Sequence, residues 1–74
     1  MVTVVSGGKS IAVDLSWYTS KHDEKEPQDV YTEFRIGDGL NGFSAKLPFN
    51  DVLRRVAEFA VSRNVSSVTL VNAY

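Results

Sequence analysis

Residues 65–74, VSSVTLVNAY, carry no charge and no proline, are rich in β-branched side chains, and follow directly on an amphipathic stretch. A run of this kind fits a mostly buried strand; left bare at a sheet edge it would invite pairing and aggregation. The period changes just upstream. From Pro48 onward, Phe49, Val52, Leu53, Val56, Phe59, Ala60 and Arg63 recur at three- and four-residue spacing, with Asp51, Arg54, Arg55, Glu58 and Ser62 on the other face. This spacing predicts one amphipathic helix of about four turns. Pro48 suits a first helical position, with Asn50 an alternative N-cap, and Asp51 suits the helix N-terminus. Asn64 is the expected left-handed stop. Asp51 and Arg55, at i,i+4, are expected to support the helix.

Upstream of the helix the side chains alternate. In residues 10–18, Ile11, Val13, Leu15 and Trp17 fall on one side, and Ala12, Asp14, Ser16 and Tyr18 on the other. In residues 30–36, Val30, Thr32, Phe34 and Ile36 alternate with Tyr31, Glu33 and Arg35. Period two is the signature of strands with one face on a core. Gly7 and Gly8 join residues 2–5 to the second strand as a hairpin, because glycine accepts positive φ without penalty. Residues 37–42, GDGLNG, lead from the third strand into a fourth at 43–47, a second hairpin. Between the hairpins, residues 19–29 form a polar segment with Pro27 and six charges.

The expected fold is therefore α+β. A single antiparallel-rich, mixed five-stranded sheet carries one helix on one face, in the order β-β-β-β-α-β, and the whole chain, residues 1–74, is one domain. The uncharged first and last strands are the best candidates for the middle of the sheet, side by side. At 74 residues such a domain buries only roughly 60% of its unfolded surface, and a core of that size usually supplies no more than about 3 to 5 kcal/mol. With no cysteine, disulfides add nothing.

Composition narrows the function classes. The chain is 43% hydrophobic and 23% charged, with a net charge of −1, an ordinary globular balance. No apolar run reaches the roughly 20 residues of a membrane span, and the first residues lack a signal-like pattern; a cytoplasmic location is expected, with no membrane partner. The signs are uneven. Asp23, Glu24, Glu26 and Asp29 against Lys21 and Lys25 leave the polar segment at −2, and the remainder is +1. A binder working by counterion release on nucleic acid shows a clear basic excess instead.

The candidate chemical constellations lack essential parts. His22, Asp23, Glu24 and Glu26 cluster, but without a second histidine or any cysteine to complete a tetrahedral site. GDGLNG matches G-x-G-x-x-G letter for letter, yet a strand follows where the dinucleotide motif requires a helix. Asp14 and Glu33 share a sheet side without a pocket to shift a pKa. No nucleophile is paired with a base. The expectation is a non-enzymatic protein with no cofactor.

Three functional readings follow. The first is a protein-interaction module, a small regulator or inhibitor of the kind mobile elements carry, that occupies a surface of a larger protein through Asp23, Glu24, Glu26 and Asp29, or through Arg54 and Arg55 on the helix. The second is single-stranded nucleic-acid binding by Tyr18, Tyr31, Arg35 and Lys46, aromatic and basic side chains expected on the outward sheet face. In order of elements this is loosely similar to Whirly and Pur-type single-strand binders, a likeness of topology without a shared motif. The third is self-association, a homodimer formed through a strand edge.

Overall fold

A computed structural model describes residues 1–18 and 28–73. Its elements are β1 (Val2–Ser6), β2 (Lys9–Asp14), β3 (Asp29–Ile36), β4 (Gly39–Lys46), α1 (Phe49–Ser62) and β5 (Ser67–Ala73). They form one mixed five-stranded sheet with a single helix, in the expected order of elements.

Each hairpin follows from its glycines. Gly7 and Gly8 both hold positive φ, 57° and 76°, the geometry of a type I′ turn that matches the twist of flanking strands. Ser6 and Lys9 close it. The second turn is tighter than the sequence suggests. Only Gly37 takes positive φ, 58°, and β3 pairs with β4 from Ile36 opposite Gly39 to Asp29 opposite Lys46. Gly39 and Gly42 are therefore inside β4 and not in the connection.

The strand order is β1-β2-β5-β3-β4. β5 lies at the centre, parallel to β2 and antiparallel to β3. This corrects the expected pairing of the first strand with the last: β1 pairs with β2 alone, at the edge. The reason is local. Two glycines allow residues 2–6 to fold straight back on β2, and only one central slot between the hairpins then remains, which β5 fills. Because β4 and β5 both run opposite to β3, β4, α1 and β5 make a β-α-β unit split by β3.

The helix lies over β1, β2 and β5. Val52, Val56, Ala57 and Ala60 have no exposed surface and meet Ile11, Val13, Val68 and Leu70. Phe34, also fully buried, anchors the side toward β4, where Phe34, Phe43 and Phe59 have ring centroids 5.3 to 6.1 Å apart. Such aromatic pairs add to area burial through their edge and offset geometries.

The helix ends differ in how well the sequence forecasts them. Pro48 is neither inside the helix nor displaced by Asn50: it occupies the N-cap with extended backbone, ψ 157°, and its carbonyl accepts from the Asp51 and Val52 amides. Its extended ψ keeps Pro48 itself outside the helix, which starts one residue later at Phe49. At the other end Asn64 adopts φ 58°. The Val65 amide donates to the Ala60 carbonyl and the Asn64 amide to the Val61 carbonyl, the paired bonds of a Schellman motif. Asp51 pairs with Arg54 at 3.3 Å, not with Arg55. Among the described residues no helix is long and apolar enough to cross a membrane.

Candidate interaction surface on the open sheet face

The helix covers one side of the sheet and leaves the other open. The strand pairings align on that open side Thr3 and Val5 of β1, Ala12 and Asp14 of β2, Thr69 of β5, Tyr31, Glu33 and Arg35 of β3, and Leu40, Ser44 and Lys46 of β4.

Two aromatic residues exchange the sides that strict alternation gives them. β2 stops at Asp14, whose Oδ1 accepts the Ser16 amide at 2.9 Å. The Tyr18 amide then donates to the Leu15 carbonyl at 3.1 Å. An Asx turn followed by a β-turn breaks period two. As a result Tyr18 stacks on Phe49 at the start of the helix, ring centroids 5.8 Å apart, and Trp17 joins the open side, 76% exposed. Tyr18 is thus removed from the expected nucleic-acid face, and Trp17 from the expected core row. The signal lay in Asp14 itself, a side chain that favours bonding the amide two residues on.

Trp17, Arg35, Asp14, Thr69 and Val71 line a hollow of about 420 Å³. In the same pair of strands the β3–β5 register shifts between Glu33 and Phe34, a bulge of the kind that re-aims side chains. The Ser16 backbone and side chain donate to Asp14 and hold its carboxyl below the ordinary aspartate value. The rim continues to Leu40, 58% exposed, beside Arg35.

Tyr31 rests on the neighbouring strand. Its ring lies diagonally across β4 on Gly42, so close that a Cβ there would fall 2.6 Å from Cζ and 3.0 Å from Cε1. Glycine is thus favoured here because the ring lies over it, and not by its backbone conformation. Next to it, Ser44 Oγ donates to Asp29 Oδ1 at 3.2 Å.

The charges of this face are mixed. Arg35 and Lys46 stand among Asp14, Asp29 and Glu33, so the described face has no basic excess. Of the residues singled out from sequence, Tyr31, Arg35, Lys46 and Asp29 come together here. Arg54 and Arg55 lie on the opposite side of the molecule and serve different ends. Arg54 pairs with Asp51, and the Arg55 guanidinium sits 4.4 Å from the Phe43 ring centroid, covering the aromatic end of the core. Arg55, Glu58, Phe59 and Ser62 line a shallow groove of about 270 Å³ along the helix. Asp23, Glu24 and Glu26, together with His22, lie outside the described residues. Among the described residues no group of three or more potential metal ligands occurs.

No family model, no curated protein and no solved structure matches this chain.

Proposed function

We propose that this is a non-enzymatic protein-interaction module, a small regulator or inhibitor that docks on a larger cytoplasmic protein with its open sheet face. The observation that carries the reading is Trp17, 76% exposed beside Arg35 at the mouth of a hollow. Trp, Tyr and Arg are the residue types that dominate binding energy at protein interfaces, most of all where a pocket lets them be desolvated. Leu40 and Val71 supply apolar area around them, and Arg35 and Asp14 give the hollow charges of both signs. The mixed charge favours a protein over a polyanion, which would meet three carboxylates on the same face.

Affinity capture from the source organism with the full chain as bait tests this. A stoichiometric protein partner should be recovered by the wild type and by Arg54→Ala, and lost with Trp17→Ala or Arg35→Ala. Equal recovery by all four baits would remove the open face from the reading. Failure to recover any protein, together with tight, salt-sensitive binding to single-stranded oligonucleotides, would transfer it to nucleic acid.

A further inference from the structure

Among the described residues the sheet has two edge strands without a second partner, β1 and β4, and the hydrogen bonding of β2 shows which groups of β1 it leaves unused. The Ala12 amide donates across to Ser66 beside β5, at 2.9 Å. Backbone direction alternates along a strand, so Ile11 and Val13 turn to the other side and engage Val4 and Val2, their register partners in β1. The amides and carbonyls of Thr3 and Val5 therefore point outward, away from the sheet. Val5 is also among the most exposed large apolar residues, at 69%.

The two edges are not equally protected. β4 carries Lys46 and is interrupted by Gly39 and Gly42, features that blunt an edge. β1 reads VTVVS, with no charge, no glycine and no proline.

We infer that β1 is a self-association edge: two copies pair antiparallel through Thr3 and Val5 about a two-fold axis at Val4, and their sheets join into one of ten strands. A two-fold contact brings a surface against itself, so the edge must complement its own copy. This edge does. With the axis at Val4, Thr3 faces Val5 of the second copy and Val5 faces Thr3 of the second copy, and each outward donor meets an outward acceptor. Val4, half-buried toward the helix, faces its own counterpart. No charged side chain of β1 opposes the approach. Five residues of strand span only about 17 Å, too short a contact to bury the roughly 800 Å² per partner of a standard interface, so the dimer is reversible and concentration-dependent. It leaves the open-face hollow uncovered and stands independently of the proposed partner.

Sedimentation velocity from about 10 μM to about 1 mM, with amide exchange at both ends of the range, tests the inference. The wild-type mass should rise toward twice that of the monomer, and the Thr3 and Val5 amides should exchange at least about tenfold more slowly at high concentration as they become paired. The double variant Thr3→Lys with Val5→Lys sets two lysines opposite each other at the axis and should stay monomeric. Thr3→Lys with Val5→Glu sets lysine opposite glutamate and should associate again. Circular dichroism and protection of the β2–β5 amides confirm that each variant is folded. A wild type of constant mass with unchanged Thr3 and Val5 exchange overturns the proposal. So does association of the two-lysine variant at wild-type strength, or a lysine–glutamate variant no better than it.

Discussion

The contact between Tyr31 and Gly42 yields a prediction whose sign depends on the background in which it is measured. Gly42 is a strand residue with no need for positive φ, so with the ring absent, alanine should stabilise the chain by about 0.5 to 1 kcal/mol through reduced unfolded-state entropy. With the ring present, the new methyl meets the Tyr31 hydroxyl and Cζ and the ring must tip into solvent. Tyr31 is 41% exposed, and aromatic side chains bury about 150 to 250 Å²; tipping re-exposes on the order of 40 to 60 Å². At 25 cal/mol per Å² this costs about 1 to 1.5 kcal/mol. The substitution should thus be neutral to destabilising in the wild type and stabilising in Tyr31→Ala. The assay is a double-mutant cycle by urea denaturation of four proteins: wild type, Tyr31→Ala, Gly42→Ala and the double variant. A coupling of about 1 kcal/mol or more is expected. If Gly42→Ala has the same effect in both backgrounds within about 0.3 kcal/mol, the ring does not rest on the glycine and the reasoning fails.

Two further outcomes can be checked by the same unfolding experiments. Asn64 holds φ 58° in the helix-terminating motif, so Asn64→Ala should lose about 1 kcal/mol while Asn64→Gly stays within about 0.5 kcal/mol of wild type. Asp14 has a folded-state pKa depressed by its bonds from Ser16, so its contribution is present above the unfolded aspartate pKa of about 4 and disappears as pH falls through the lower folded value. Relative to Asp14→Asn, which does not titrate, the wild type should therefore lose its advantage on acidification below about pH 4; an advantage that grows there would contradict the assignment.

What could be read from sequence was burial, and what could not was adjacency. Val30, Thr32, Phe34 and Ile36 alternate so strictly that their common burial follows from period two alone. Val52, Leu53, Val56 and Ala60 follow likewise from the helical period. Asn64 was legible because few residues tolerate its backbone. The neighbours of β5 were not legible: a strand without charges fits beside β1 as well as between β2 and β3, and only the closure of two hairpins removes the first option. Ala57, fully buried, was not picked out, although its spacing of four from Leu53 belongs to the same stripe. The candidate site suffered most at residues 14–18, where one carboxylate bonding to the Ser16 amide reverses Trp17 and Tyr18. The seat of Tyr31 on Gly42 was invisible, since diagonal cross-strand contacts depend on a register that composition does not encode.

The central position of β5 also bears on how the molecule is assembled. Without it, β1–β2 and β3–β4 are two separate hairpins that share no hydrogen-bonded ladder, and an isolated hairpin is marginal in water. The strand that unites them comes last in the order of described elements, after the helix, so its pairings with β2 and β3 join residues far apart in sequence. Chains dominated by such closures fold slowly for their size. On a ribosome the domain must wait, unfinished, until residues 67–73 leave the exit tunnel, and any shortening that removes them yields fragments for proteolysis and not a weaker version of the same fold.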